Sequence, residues 1–143
     1  MKKIIIINGP NLNLLEKRNS DIYGGENLHS IKQSCQDIVN DKARLEFFQS
    51  NSEGEIIEKI QQAILQKTDA MIINAAAYTH TSIAIRDALE MFYGQKIELH
   101  ISNIFKREDF RHHSVISEVV DGVISGLGSY GYVAAINAVL NKS

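Results

Sequence analysis

Five short apolar segments alternate with longer amphipathic segments along the chain of 143 residues. They are rich in β-branched or aromatic residues and lie at 2–8, 44–50, 69–75, 96–102 and 119–126. The first and third are nearly continuous apolar runs, which is typical of central strands covered on both faces. The pattern therefore predicts five β-strands.

Segments of helical periodicity separate these strands, at 27–40, 53–66 and 81–92, and an Ala-rich segment at 129–140 closes the chain. Strands that alternate with helices imply right-handed βαβ units and a doubly wound parallel sheet. We therefore predict an α/β, flavodoxin-like fold of five parallel strands in the order 2-1-3-4-5, with helices on both faces. We expect residues 1–143 to form a single domain.

The composition of the chain argues against several classes of binding partner. The net charge of −2 gives no electrostatic reason to expect nucleic acid or an anionic membrane surface. No apolar run approaches the roughly 20 residues of a membrane span, and we expect no signal peptide before the first strand. Cys35 is the only cysteine, which excludes an internal disulfide. We expect a cytoplasmic protein.

Ligands of such sheets bind beyond the carboxyl ends of the strands, so the residues that follow each strand are site candidates. After strand 1, Asn11 and Asn13 in "NGPNLNLLEKR" can bond either to the backbone, in an Asx turn, or to a ligand. The stretch lacks the spacing of a phosphate-binding loop, which weakens a nucleotide interpretation. Further along, "EKRNSDIYGG" places Arg18 and Tyr23 in a polar loop.

Strand 3 is followed by "NAAAYTHTS", which contains Asn74 and His80. Thr81 or Ser82 is an ordinary helix N-cap, but capping leaves Asn74 and His80 unexplained. An interior histidine is more often satisfied by its surroundings than catalytic, so both interpretations of His80 stay open.

Strand 4 contains Glu98 and His100 two residues apart, which puts them on one face. A carboxylate beside an imidazole favours its protonated form, as a general acid requires, although a solvent-facing pair fits the same spacing. The amides of Ile101 and Ser102 can cradle an anion. Residues 106–113 are dense in charge, and most of them are expected to form a solvated face. One arginine of this stretch turned inward would suffice to bind a hydroxyl or carboxylate, and Arg111 is a candidate.

These strand ends suit a small, polar, anionic and polyhydroxylated substrate, and no metal-ligand spacing joins their histidines. The motifs "INGPNLNLL", "IYG", "NSEGE", "YTHTSIAIRDAL", "ELHISNI", "REDFRHHSVIS" and "GVISGLGSYGY" closely resemble those of the type II 3-dehydroquinate dehydratases of the shikimate pathway, in order and over nearly the whole chain. The resemblance implies dehydration of 3-dehydroquinate to 3-dehydroshikimate, by anti elimination through an enolate, without metal or organic cofactor.

The resemblance also implies catalytic roles. Tyr23 is similar to the base that removes the C2 proton, and Arg18 to the group that keeps the phenol partly ionised. His100 resembles the acid that protonates the departing C1 hydroxyl, with Glu98 behind it. Asn11 is similar to a residue that positions a water or hydroxyl near the enolate.

Binding roles and an assembly follow from the same resemblance. It implies contacts to the substrate carboxylate from Asn74 and from the amides of Ile101 and Ser102, and contacts to ring hydroxyls from His80 and Arg111. The family typically assembles as a dodecamer of four trimers. Asp87 corresponds to a residue that reaches the site of a neighbouring subunit.

The chain departs from the usual family pattern at several positions: Glu16, Asn19, Ser20, Ala75, Ala76 and Phe105 stand where glycine, glutamate, proline, proline, glycine and histidine are common. Losing a proline widens the unfolded ensemble of the loop. We therefore expect residues 18–23 to form an unusually mobile lid, with Gly24 and Gly25 as candidate hinge positions.

Two other functions fit the fold alone. A flavin- or nucleotide-binding module requires a phosphate-cradling turn after strand 1, where this chain has proline and bulky leucines. A signalling receiver domain requires acidic residues at the ends of strands 1 and 3, where this chain has asparagines. Both are less consistent with the sequence than the dehydratase.

Overall fold

In the computed structural model, which describes residues 1–23 and 25–142, a five-stranded sheet runs through the middle of the molecule. Every strand pair is parallel and the order is β2-β1-β3-β4-β5, which confirms the predicted topology. The strands are β1 (Lys2–Asn8), β2 (Ala43–Gln49), β3 (Ala70–Asn74), β4 (Gln95–His100) and β5 (Gly122–Ser125). The hinge predicted at Gly24 lies outside the described residues.

The helices of the described residues are α1 (Ser20–Tyr23), α2 (Leu28–Val39), α3 (Glu53–Leu65), α4 (Ile83–Glu90) and α5 (Tyr130–Leu140). The first residue of α3 follows Ser52, whose side chain accepts a hydrogen bond from the backbone N–H of Glu55. Ser82 caps α4 in the same way through the N–H of Ile85. Such caps satisfy backbone donors that lack a partner within the helix, and they fix where each helix begins.

Two apolar cores lie on opposite faces of the sheet. On one face, α2 and α5 pack against inward residues of β1 and β3 such as Ile6 and Ile72. On the other face, α3 and α4 cover the alternate residues, such as Ile7 and Ile73. All residues of β3 are buried, as are Ile4 to Asn8 of β1, because helices cover both faces of the central strands.

Two predicted elements, the helix at 81–92 and the strand at 119–126, differ most from the structure and are each four residues shorter. The helix predicted at 81–92 spans Ile83–Glu90, because Ser82 caps it and a 3₁₀ turn (Ala76–His80) precedes it. The strand predicted at 119–126 is β5, which lies at the edge of the sheet and pairs on one side with β4 only. A 3₁₀ turn (Ser117–Val119) occupies the residues before it.

The loops after β1 and β3 approach each other closely at Gly9. A Cβ atom at this position would lie 2.4 Å from the carbonyl oxygen of Ala75, which only glycine avoids. The backbone N–H of Gly9 donates to the carbonyl of Asn74 at 2.8 Å. This contact brings Asn11 and Asn74 to the same edge of the sheet.

Candidate active site

A pocket of about 120 Å³ lies at the carboxyl ends of β1, β3 and β4. One side of it is formed by residues that end or follow these strands, and we call it the sheet side. The other side, the lid side, is formed by Arg18 and Tyr23 of residues 18–23, called the lid segment here, together with Arg107. The pocket is lined by Pro10, Asn11, Leu12, Arg18, Tyr23, Asn74, Ala76, Ala77, His80, His100, Ile101, Ser102, Ile104, Arg107 and Arg111.

Tyr23 ends the single turn of α1, which buries its side chain. Nη2 of Arg18 donates to the Tyr23 hydroxyl at 2.5 Å, and the guanidinium carbon lies 4.1 Å from the ring centroid. The predicted pair is therefore in direct contact. A positive charge at this distance, in a partly buried place, stabilises negative charge on the phenolic oxygen.

A second arginine contacts the same phenol. Nη1 of Arg107 donates to the Tyr23 hydroxyl at 2.5 Å and lies 3.5 Å from the hydroxyl of Ser102. The carbonyl of Arg107 accepts a hydrogen bond from Nε2 of His112, which anchors the arginine's backbone. The expectation that Arg107 belongs to a solvated face was wrong, because its side chain turns into the pocket and is only 15% exposed.

On the sheet side, Glu98 and His100 form a buried pair. Nε2 of His100 lies 2.5 Å from Oε2 of Glu98, and the hydroxyl of Ser117 donates to Oε1 at 2.5 Å. Burial raises the pKa of Glu98, but the hydrogen bonds from His100 and Ser117 outweigh it and leave the pKa below its usual value. Glu98 is therefore ionised at neutral pH, and the pair is not the solvent-facing one that the spacing also allowed.

His80 stacks against His100, with ring centroids 6.4 Å apart. Nδ1 of His80 donates to the carbonyl of His113 at 2.9 Å, which leaves Nε2 for a ligand. Burial lowers the pKa of His80, as does the charge of the nearby His100, although the bond to His113 raises it. A neutral imidazole fits a contact to a hydroxyl group.

Asn74, Ile101, Ser102 and Arg111 also line the pocket. Oδ1 of Asn74 accepts a hydrogen bond from the N–H of Ala76 at 3.2 Å. Nε of Arg111 pairs with Glu108 at 3.1 Å, and its guanidinium lines the pocket at the same time. These groups offer donors to an anionic or hydroxylated ligand.

Asn11 adopts a left-handed backbone conformation with φ of 71°, which asparagine tolerates better than most residues. Its N–H donates to Oδ1 of Asn51 at 2.9 Å. Asp87, by contrast, is exposed on α4 and does not line the pocket. The fold thus brings together the predicted site residues except Asp87 and Asn13, which is exposed and does not line the pocket, with Glu98 directly behind His100.

Ala76 also has a left-handed backbone, with φ of 53°. This is the position where glycine is common in the family pattern. The left-handed region costs an ordinary residue roughly 1–2 kcal/mol because Cβ crowds the backbone. Ala76 nevertheless adopts this backbone conformation, and its N–H donates a hydrogen bond to Oδ1 of Asn74.

Sequence reasoning missed Arg107 and Ser117. Arg107 stands four residues before Arg111 in one charged stretch, and nothing in that pattern tells which arginine faces inward. Its partner Tyr23 is 84 residues away. Ser117 gives a weaker signal still, since a serine near a turn is common.

Within residues 1–23 and 25–142, no group of three or more His, Cys, Asp or Glu side chains is placed to hold a metal ion. The helices of the same residues are all too short or too polar to cross a membrane.

Known proteins and solved structures share this architecture. The profile of a family described as "Dehydroquinase class II" matches residues 2–140. A 3-dehydroquinate dehydratase of Legionella pneumophila (strain Corby) is 50% identical over 143 residues, which cover 99% of each chain. Another from Bartonella henselae is 50% identical over 140 residues, covering 97% of this chain and 94% of the relative.

Solved structures agree. The type II dehydroquinase from Butyrivibrio crossotus superposes with a TM-score of 0.93 at 48% identity, covering 96% of this chain and 97% of the other. The type II dehydroquinase from Propionibacterium acnes superposes with a TM-score of 0.95 at 39% identity, covering 99% of this chain and 98% of the other. The chain therefore is an enzyme of the hydro-lyase class. It belongs to the class II dehydroquinase family.

Proposed function

We propose that this chain dehydrates 3-dehydroquinate to 3-dehydroshikimate in the shikimate pathway, which leads to the aromatic amino acids. Tyr23, as the phenolate, removes the proton from C2 and an enolate forms at the C3 carbonyl. The enolate then collapses, the bond from C1 to its hydroxyl breaks, and His100 protonates the departing oxygen to give water. The anti geometry places base and acid on opposite faces of the ring.

The observation that carries this proposal is the pairing of opposite charges around one pocket. A free tyrosine titrates near pH ~10, so a phenolate at neutral pH needs nearby positive charge. Arg18 and Arg107 both donate to the Tyr23 oxygen and supply that charge. Glu98, which is ionised, contacts Nε2 of His100 and fixes the imidazole ring beside the pocket. One pocket thus brings together the group assigned as base and the group assigned as acid.

The remaining contacts suit the proposed substrate, which carries a carboxylate and ring hydroxyls. We assign the carboxylate to Asn74 and to the amides of Ile101 and Ser102, and the hydroxyls to His80 and Arg111. Asn11 is assigned to the water or hydroxyl near the enolate. All of these residues line the pocket, and the chemistry assigned to them requires no metal or organic cofactor.

We further propose a cytoplasmic, single-domain subunit that assembles into a dodecamer of four trimers. Asp87 would then reach the pocket of a neighbouring subunit, which agrees with its exposed place on α4. Analytical ultracentrifugation of the purified protein tests the assembly, and an Asp87→Asn variant that keeps its assembly but loses activity supports a shared site.

Absorbance of the conjugated enone product, followed on purified protein with 3-dehydroquinate, tests the activity. The wild-type chain is expected to turn over, and Tyr23→Phe is expected to abolish turnover because it removes the base and leaves the ring in place. A matched control is Tyr93→Phe, since Tyr93 is 95% exposed and does not line the pocket. Near-normal turnover in a folded, assembled Tyr23→Phe protein would contradict the assigned base.

A further inference from the structure

Behind the sheet side of the pocket lies a second tyrosine, which neither the sequence analysis nor the proposed mechanism uses. Tyr132 of α5 is fully buried between the helix and the sheet. Its hydroxyl donates to Oδ1 of Asn8 at 2.6 Å and accepts from Nδ2 of Asn74 at 3.0 Å. Burial raises the pKa of Tyr132, so this phenol remains neutral and keeps its proton.

These bonds belong to a longer chain of hydrogen bonds that ends on the backbone at both sides. At one end, Nδ2 of Asn8 donates to the carbonyl of Phe48 in β2 at 3.1 Å. At the other end, Oδ1 of Asn74 accepts from the N–H of Ala76 at 3.2 Å. The chain therefore joins the edge strand β2, the end of β1, helix α5 and the end of β3.

The two backbone groups give this chain a fixed direction. A carbonyl can only accept and an N–H can only donate, so the amide of Asn8 must turn its nitrogen toward Phe48, and the amide of Asn74 must turn its oxygen toward Ala76. Reversing the chain would place two acceptors together at Phe48 and two donors together at Ala76. Each buried group left without a partner would carry the full cost of its desolvation.

The direction of this hydrogen-bond chain determines which group of the Asn74 amide faces the pocket. One hydrogen of its Nδ2 goes to Tyr132, and within the described residues Tyr132 is the partner of that nitrogen. The second hydrogen remains for a ligand, and a negatively charged oxygen is the acceptor that binds it most strongly.

We propose that Tyr132 is a positioning residue, which holds the amide of Asn74 with its N–H side toward the carboxylate of the substrate. Tyr132 does not touch the substrate and acts only through Asn74. The identity of the ligand rests on the proposed function, whereas the orientation of the amide does not.

Steady-state kinetics with 3-dehydroquinate test this role. Tyr132→Phe removes one of the two hydrogen bonds that hold the Asn74 amide and leaves only the bond from Ala76, so KM is expected to rise on the order of ten-fold while kcat changes by less than about two-fold. Tyr130→Phe is the matched control, because Tyr130 lies in the same helix and is 60% exposed. Its kinetic constants are expected to equal those of the wild type.

A double-mutant cycle separates positioning from general packing. If Tyr132 acts through Asn74, its substitution has no further effect on KM once Asn74→Ala has removed the amide. If Tyr132→Phe raises KM by the same factor in both backgrounds, or leaves KM unchanged in the presence of Asn74, the proposal is overturned.

A measurement without substrate keeps this test separate from the proposed function. With ¹⁵N-labelled asparagine, the side-chain amide signal of Asn74 is identified by its loss in Asn74→Ala. Its hydrogen exchange is expected to be at least about ten-fold faster in Tyr132→Phe than in the wild type or Tyr130→Phe. Equal exchange rates in all three proteins overturn the positioning role, whereas a wild type that exchanges slowly but does not turn over 3-dehydroquinate overturns only the proposed function.

Discussion

The two sides of the pocket are held in different ways. On the sheet side, Asn74 and His100 are buried, and their partners are buried groups that lead back to the backbone or to Ser117. On the lid side, Tyr23 is held by two long, charged side chains, Arg18 of the lid segment itself and Arg107 of the loop after β4. Buried bonds between anchored groups keep a geometry constant, whereas the charge contacts to Tyr23 exist only while the lid segment is in place.

This difference suggests a division of labour. The sheet side presents donors in fixed directions, which suits binding and orientation of the substrate. The lid side changes the electrostatics of one oxygen, which suits control of reactivity. Substitutions on the sheet side should therefore affect mainly substrate binding and orientation, and substitutions on the lid side mainly the reactivity of Tyr23.

The largest expected effect comes from the lid side. Arg107→Met keeps the aliphatic stem but removes the charge that donates to the Tyr23 oxygen, so kcat is expected to fall about 10²- to 10³-fold, as when one donor to a developing charge is lost. The measurement is steady-state turnover of 3-dehydroquinate. Lys106→Met is the control, because the neighbouring Lys106 is exposed and does not line the catalytic pocket. A loss confined to KM would show that Arg107 binds substrate rather than stabilising the base.

The next effect concerns the buried pair of the sheet side. Glu98→Gln removes the carboxylate that His100 and Ser117 contact, and it is expected to lower the free energy of unfolding by about 1.5–3 kcal/mol at neutral pH, the range for hydrogen bonds to a charged group. Because the folded pKa of Glu98 lies below its ordinary value of 4.5, the stability from the ionised form is fully present above that pH and is lost as pH falls through the folded value. The difference in the free energy of unfolding between the wild type and Glu98→Gln should therefore become smaller at acidic pH.

Denaturant unfolding at a fixed protein concentration, from pH 7 to pH 3, measures that difference. Glu118→Gln is the matched control, since its carboxylate is 73% exposed and only loosely paired with Arg86. A difference between wild type and Glu98→Gln that stays constant across the whole pH range would contradict the assigned charge state.

A smaller effect tests how firmly the sheet side is held. Ala76→Gly relieves the left-handed backbone of Ala76, which outweighs the greater freedom of glycine in the unfolded chain. We expect a net gain of roughly 0.5–1 kcal/mol in the free energy of unfolding. Ala77→Gly, one residue on, is expected to lose a similar amount, because it relieves no left-handed strain. If both variants change the free energy of unfolding in the same direction, the backbone of Ala76 is not strained.

The smallest effect concerns the lid segment, whose unusual mobility stays a prediction. Ser20 is the first residue of α1, a position that accepts proline, and Ser20→Pro reduces the freedom of the opened segment. Tryptic cleavage after Lys17 or Arg18 is therefore expected to slow by about two- to five-fold, which corresponds to roughly 0.4–1 kcal/mol. Ser20→Ala serves as the control. Cleavage that is unchanged or faster in Ser20→Pro would refute the expectation.

The sequence was sufficient to predict the sheet side and part of the lid side. Continuous apolar runs identify central strands, and parallel strands bring their carboxyl ends to one edge, which is why Asn74 and His100 could be placed in one site. Arg107 could not be placed, because its contact with Tyr23 depends on how two loops fold over each other. Tyr132 reads as an ordinary core residue in an Ala-rich helix, and its polar role appears only when the partners of its hydroxyl are known.

The burial of the Glu98–His100 pair affects how the protonation states of Tyr23 and His100 are restored after each turnover. In the proposed mechanism Tyr23 ends the cycle with one proton more and His100 with one proton fewer, so the protein as a whole neither gains nor loses charge. His100 is only 5% exposed and Glu98 is enclosed, so the returning proton has to enter through the pocket itself. Because Tyr23 and His100 line the same pocket, the proton that Tyr23 gains can return to His100 through that pocket once the product has left. Restoration of both protonation states therefore depends on product exit.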